Sequence, residues 1–153
     1  MLLYVSNSAR EATSTPLRSV SVAGAVVRED GGRLPVIRRA DNGTWELPGG
    51  VLELTEAPEE GVACEVWEET GIRGEVEDLT GVCKNTTRGI VTLAFRCKPS
   101  GGEKRTSTEP PAVEWLAPEE ATARMTEVYA VRLLDALDDK GPHVSSHLLE
   151  KSA

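Results

Sequence analysis

The sequence predicts a single α/β domain, and three observations carry that expectation. β-Branched runs alternate with helical stretches along the chain, turn residues fall between those runs, and length and composition suit one hydrophobic core. With 153 residues, 39% of them apolar, the chain has enough material for one core and too little for two. The domain is expected over residues 20–138. An irregular arm with room for one short strand precedes it over residues 1–19, and a flexible tail follows over residues 139–153.

Val20 to Arg28 is β-branched, and Glu29-Asp30-Gly31-Gly32 is turn chemistry leading into Leu34-Pro35-Val36-Ile37-Arg38, so the two runs are expected to pair as a hairpin. Asp41-Asn42-Gly43 makes another turn, and Trp45-Glu46-Leu47 is a short extended piece. Pro48-Gly49-Gly50 is expected to form a tight loop whose backbone can approach a ligand closely. Pro58 then suits the first turn of a helix, where its missing N–H is no loss, and Glu59 and Glu60 favour the positive end of the dipole. Ala57 lacks the side-chain oxygen of a good cap, which would be worth about 1 kcal/mol. The helix is predicted to run to Thr70, with Gly71 as its stop.

Val76 to Lys84 and Ile90 to Lys98 read as strands around the polar turn Asn85 to Gly89. If the hairpin is symmetric about Thr87, Cys83 lies opposite Val91 and Cys97 opposite Glu77, so the two thiols do not face each other. Pro99 to Pro111 is rich in Gly, Ser, Thr and Pro and reads as a loop, followed by a last strand from Ala112 to Leu116. Pro118 opens a short helical turn, Thr126 to Leu137 is an amphipathic helix, and the chain after Asp138 is expected to fray.

A net charge of −8 argues against a partner such as the backbone of a long nucleic acid, which demands a basic face. A small polyanion remains compatible, because a divalent metal reverses the local sign. No stretch is apolar for long enough to cross a bilayer, so the expectation is a cytoplasmic protein with no membrane partner. Cys64, Cys83 and Cys97 show neither zinc-site spacing nor an even count, and read as free thiols.

The chemistry gathers on the helix. Glu65, Glu68 and Glu69 stand at i, i+3 and i+4, which confines the three carboxylates to an arc of about 100°. Like charges so placed destabilise a bare helix by roughly 0.2–0.5 kcal/mol per pair, unless a cation sits over them. Mg²⁺ would do so: it prefers oxygen ligands, keeps several waters and is completed by substrate phosphates. Acidic helix faces are also commonly just solvated, and these three residues alone leave both readings open.

The surrounding spacing narrows the choice. From Gly50 to Ile72 the chain resembles the Nudix box, Gx5Ex7REUxEExGU, where U is a bulky aliphatic residue. Eight of nine specified positions match: Gly50, Glu56, Glu65, Val66, Glu68, Glu69, Gly71 and Ile72. The approach Trp45-Glu46-Leu47-Pro48-Gly49 is also similar to that family's. The ninth position departs, with Cys64 where the family has arginine. Cys64 lies four residues before Glu68, so an arginine there could steady that carboxylate, whereas a soft thiol is poorly matched to Mg²⁺.

The resemblance implies an α/β/α sandwich in which a mixed sheet containing antiparallel pairs lies between helices. It implies a pyrophosphohydrolase that uses Mg²⁺, with Mn²⁺ as a substitute, to cleave a phosphoanhydride in a nucleoside diphosphate linked to another moiety. Nucleoside triphosphates and oxidised nucleotides are the default substrates, with nucleotide sugars behind them. Glu65 and Glu69 are implied as metal ligands, Glu68 as a further ligand or the base, and the Gly49 carbonyl as a completing ligand. Gly50, Glu56 and Gly71 shape the motif, and Glu109 could supply an extra carboxylate from the loop before Ala112.

Arg38, Arg39 and Arg88 could meet phosphates, and Trp45, Phe95 or Tyr129 could stack on a base, although aromatics this scarce commonly serve the core. His143 and His147 share a metal-like i, i+4 spacing, in a context that reads as a solvated tail. The departure at Cys64 lowers the expected rate and motivates an alternative, a non-catalytic Nudix-like domain that binds a nucleotide or regulates a partner. A scaffold with a merely solvated acidic helix is a second alternative. The sequence leaves a homodimer open.

Overall fold

The computed structural model describes residues 18–105 and 111–148. Most of the expected N-terminal arm, Glu109 and the last five residues lie outside that description. The chain opens with β1 (Val20–Val26), β2 (Leu34–Arg38), β3 (Trp45–Glu46) and β4 (Gly49–Val51), followed by helix α1 (Pro58–Thr70). Strands β5 (Ile72–Asn85), β6 (Ile90–Gly102) and β7 (Ala112–Leu116) come next, then α2 (Pro118–Arg124), α3 (Glu127–Ala136) and β8 (His143–His147). The strands form a five-stranded sheet ordered β4-β1-β6-β5-β8 and a three-stranded sheet ordered β3-β2-β7. The larger sheet is mixed: β1 runs parallel to β6 and β5 parallel to β8, while β1–β4 and β5–β6 are antiparallel.

The alternation along β1 explains the layering. Val22 and Val26 pack with Val62 and Val66 of α1, while Ala23 and Ala25 face Leu34, Val36, Leu116 and Leu133 on the other side. Both faces of β1 are therefore buried, between α1 and a layer made of the small sheet with α2 and α3. This is the sandwich expected from the sequence. Gly24 is the closest point of that packing: a β-carbon there would stand 2.9 Å from Val62 Cγ2 and 3.0 Å from Val66 Cγ2. Gly24→Val is accordingly expected to cost about 1–3 kcal/mol through overpacking. An unchanged denaturation midpoint would mean that α1 is not seated on β1 at this point.

Four expectations require correction. The β1 and β2 runs do not form a hairpin, although Arg28 N–H donates to the Arg33 carbonyl across the turn (3.0 Å). Both edges of β1 are already taken by β4 and β6, so β2 pairs instead with β3 and β7. Gly49-Gly50 is not a loop but part of edge strand β4, in register Ala23↔Gly49 and Val22↔Gly50.

The β5–β6 pairing is shifted from symmetry about Thr87, because Gly89 N–H donates to the Asn85 carbonyl (2.8 Å) and Asn85 pairs with Ile90. Cys83 therefore lies opposite Thr92 and Cys97 opposite Val76, and both strands outrun their expected ends. Finally, residues 143–147 do not fray. They add β8 to the open edge of β5 in parallel register, Gly81↔His143 to Asn85↔His147, and Thr86 N–H donates to the His147 carbonyl (2.9 Å). Among the described residues, no helix is long and apolar enough to cross a membrane.

Candidate active site

Helix α1 starts and stops where its chemistry dictates. Pro58 opens it, and Glu60 Oε1 accepts the Ala57 N–H (3.2 Å), supplying from the side-chain direction the half of a capping box that alanine permits. The same Ala-Pro-Glu-Glu sequence opens α2, where Glu120 Oε1 accepts the Ala117 N–H (3.2 Å). At the other end Gly71 adopts φ 81°, the left-handed turn that ends the helix. Thr70 Oγ1, fully buried, donates to the Val66 carbonyl (2.6 Å) and accepts the Ile72 N–H (3.0 Å). Gly61, Val62, Val66 and Thr70 form the buried face. Glu65 and Glu69 each precede or follow that face by one or more residues, on the flank that looks toward edge strand β4.

Glu69 reaches that strand directly: its Oε1 accepts the Gly49 N–H at 2.7 Å. The flanking ladder bonds, Gly24 N–H to the Pro48 carbonyl (2.9 Å) and Leu52 N–H to the Val20 carbonyl (2.8 Å), put Ala23↔Gly49 at a non-hydrogen-bonded position. The polar groups of Gly49 are thus aimed away from β1, and its carbonyl shares the strand edge with the N–H that Glu69 holds. Glu65 lies against the next residue: a β-carbon on Gly50 would fall 2.7 Å from its carboxylate. Gly50 is the residue type this approach requires.

Burial, with repulsion from Glu65 and Glu46, pushes the Glu69 carboxyl up to about 7 despite its hydrogen bond to Gly49. Burial and the charges of Glu68, Glu56 and Glu53 raise Glu65 too. Glu68 is exposed, and Cys64, also exposed, hydrogen-bonds its thiol to that carboxylate; slight desolvation, this hydrogen bond and the charges of Glu68, Glu56 and Glu65 raise the thiol. No ion pair engages Glu53, Glu56, Glu65, Glu68 or Glu69 among the described residues. The donor set is hard oxygen under net negative charge, relieved at Glu69 only in part by Arg39, which suits a hard divalent cation. Among the described residues no three acidic, His or Cys side chains are gathered closely enough to hold a metal ion.

The remaining candidates divide by location. Arg39 borders the carboxylates, held by both oxygens of Asp41 (2.9 and 2.8 Å) and by Glu46 Oε1 (3.2 Å). A cleft of about 330 Å³ lies beside Glu69, lined by Ile37, Arg39, Ala40, Asp41 and Pro111. Asp41 and Glu46, which stand in stretches that read from the sequence only as a turn and a short extended piece, fix Arg39 beside Glu69, while the Arg105 guanidinium donates to the Glu68 carbonyl at the end of α1. Arg38 is exposed on β2 near Gly43. Arg88 sits in the β5–β6 turn, two strands away from β4 in the sheet. Trp45 packs on the core beneath Arg124, whose guanidinium is 5.1 Å from the ring centre. Phe95 is buried between sheet and α1 and cannot stack on a base, and Tyr129 is covered by Arg132 at 5.1 Å. Glu56 Oε1 accepts the Glu53 N–H (3.2 Å) and lies against Gly61, steadying the segment before the helix. His143 and His147 are on β8, at the opposite edge of the sheet from β4. A larger cavity of about 700 Å³, lined by Arg28, Lys98, Lys104 and Trp115 among others, touches none of the α1 glutamates.

Residues 18–137 match the NUDIX domain family. The chain is 75% identical to a MutT-like protein of Streptomyces ambofaciens over 147 residues, covering 96% of this chain and 94% of that protein. It is 30% identical to an ADP-ribose pyrophosphatase of Methanocaldococcus jannaschii over 105 residues, 64% of this chain and 61% of the relative. Among solved structures, a NUDIX hydrolase from Nitrosomonas europaea superposes with a TM-score of 0.74 at 22% identity, covering 88% of this chain and 81% of the other.

Proposed function

Because the chain belongs to the Nudix family of hydrolases, we propose that it cleaves a phosphoanhydride bond in a nucleoside diphosphate linked to another moiety, with Mg²⁺ held against α1. The observation that supports this reading is the meeting of Glu69 with the Gly49 N–H and of Glu65 with Gly50 at the edge of β4, with Glu69 also lining the cleft beside Arg39 and Asp41. Glu65, Glu69 and the Gly49 carbonyl would hold the metal, with Glu68 as a further ligand or as the base. When bound, the ion would offset the diphosphate charge and act as a Lewis acid toward it.

The chain's own residues do the rest. The α1 glutamates orient a water; its oxygen attacks phosphorus, the bond to the bridging oxygen breaks, and a carboxylate takes the proton. Arg39, fixed by Asp41 and Glu46, shapes the cleft wall more than it clamps a phosphate. Nucleoside triphosphates and oxidised nucleotides head the substrate range, and the archaeal relative, an ADP-ribose pyrophosphatase, adds ADP-ribose to it. The net charge of −8 favours such small substrates over a long nucleic acid, in the cytoplasm.

A hydrolysis screen across nucleoside triphosphates, dinucleotides, ADP-ribose and nucleotide sugars tests the proposal. Nucleoside monophosphate or phosphate release that depends on Mg²⁺ or Mn²⁺ is the expected result. Ligand-induced melting shifts without turnover on any compound would favour the second reading, a nucleotide-binding domain, which Cys64 motivates. Restoring the charge at this position, Cys64→Arg, is expected to raise turnover about twofold, the scale of an exposed i, i+4 ion pair to Glu68. An unchanged rate would show that the position is indifferent in this chain.

A further inference from the structure

At the far edge of the sheet from the glutamates, on the face covered by α3, two side chains from separate elements meet around the thiol of Cys83. Cys83 of β5 pairs with Ser145 of β8, so His147, two residues further along β8, projects from the same face diagonally opposite Cys83. Its Nδ1 stands 3.4 Å from Cys83 Sγ. Arg132 of α3 approaches from above, with a terminal nitrogen 4.0 Å from the sulfur, while its buried Nε has no hydrogen-bond partner. The proposed hydrolysis uses none of these groups.

A thiol facing an imidazole acceptor and a guanidinium has the environment in which sulfur becomes a nucleophile: the ring takes the proton and the cation steadies the thiolate. We propose that Cys83 is a modification site, a thiol activated by His147 and Arg132 that reacts with small hydroperoxides. In that step Cys83 Sγ gives its proton to His147 Nδ1 and attacks the terminal oxygen of the peroxide. An S–O bond forms, the O–O bond breaks, and the leaving oxygen takes the proton back through the imidazole. Sulfur is oxidised by two electrons to the sulfenic acid, and the hydroperoxide is reduced to an alcohol or, for hydrogen peroxide, to water.

Access sets the size of the reagent. Cys83 is 8% exposed, on the face under α3 and beside edge strand β8, whose central residues Val144, Ser145 and Ser146 are exposed. Cys97, by contrast, is sealed between sheet and α1, its thiol pushed up to about 12 by burial and Glu77. Burial and Arg132 lower His147, so the ring rests neutral, and with Nδ1 unprotonated it presents a lone pair to the thiol.

Limiting hydrogen peroxide with dimedone as the sulfenic-acid trap, followed by peptide mass spectrometry, separates the three cysteines of the intact protein. Cys83 is expected to label at least about tenfold faster than Cys97, and His147→Gln to slow it by a similar factor. The variant discriminates by sign. If His147 only covers the sulfur, removing the ring exposes Cys83 and speeds labelling, whereas activation predicts slowing. Arg132→Met, which keeps the packing stem but not the charge, is expected to slow labelling too. Faster or unchanged labelling in His147→Gln, or no preference for Cys83 over Cys97 in the parent, would overturn the proposal.

Discussion

Glu69→Gln is expected to lower turnover about 10³-fold while leaving the melting temperature of the metal-free protein unchanged or slightly raised. The asymmetry follows from what Glu69 does in each state. Structurally it accepts one hydrogen bond, from Gly49 N–H, and an amide oxygen can accept the same bond. Its charge is a liability to the fold, being half-buried and repelled by Glu65 and Glu46. Neutralising it should therefore cost the fold nothing. The proposed chemistry needs that same charge to hold a divalent ion against α1. Steady-state kinetics with Mg²⁺, calorimetric titration with Mn²⁺ and a thermal melt read the three consequences separately. A melting temperature that falls along with the rate would mean that Glu69 braces β4 and that the carboxylate is structural. A retained rate would remove it from the site.

The reach of sequence reasoning followed the range of the interaction. Helix α1 was legible from Pro58 to Gly71 because its start, its stop and its acidic face are all set within a few residues. The strand from Ala112 to Leu116 was equally clear, being a short, mostly apolar run fenced by proline on both sides. What failed was partnering. The turn Glu29 to Gly32 reverses the chain as its composition demands, yet whether β1 then pairs with β2 depends on β4 and β6 having occupied both edges of β1. Local chemistry cannot report that competition. In the same way His-Val-Ser-Ser-His carries no apolar alternation, so the edge strand β8 is specified by the open edge of β5 rather than by its own residues. At the candidate site the motif points to Glu65 and Glu69 as the proposed ligands, whereas the fixing of Arg39 by Asp41 and Glu46 joins side chains across a turn and a strand pair and left no periodic signal.

Gly50→Ala is expected to lower kcat/KM about 10²-fold with stability retained, because it displaces Glu65 without disturbing the strand. Gly50 does not occupy the left-handed region, so its backbone admits alanine. The added carbon falls 2.7–2.8 Å from all three atoms of the Glu65 carboxyl, the far end of a flexible side chain that can swing aside. Its neighbour makes the opposite case. A β-carbon on Gly49 would lie 2.2 Å from the Val22 carbonyl oxygen, and backbone cannot yield in the same way, so Gly49→Ala should lower the denaturation midpoint as well as the rate. Adjacent glycines thus separate the two needs of this edge: Gly49 lets β4 approach β1, and Gly50 lets Glu65 approach β4. If displacement of Glu65 is the whole effect, Gly50→Ala combined with Glu65→Gln should be no slower than Glu65→Gln alone, since both act on one carboxylate. Additive losses in that double substitution would show that Gly50 serves the reaction by a route other than Glu65.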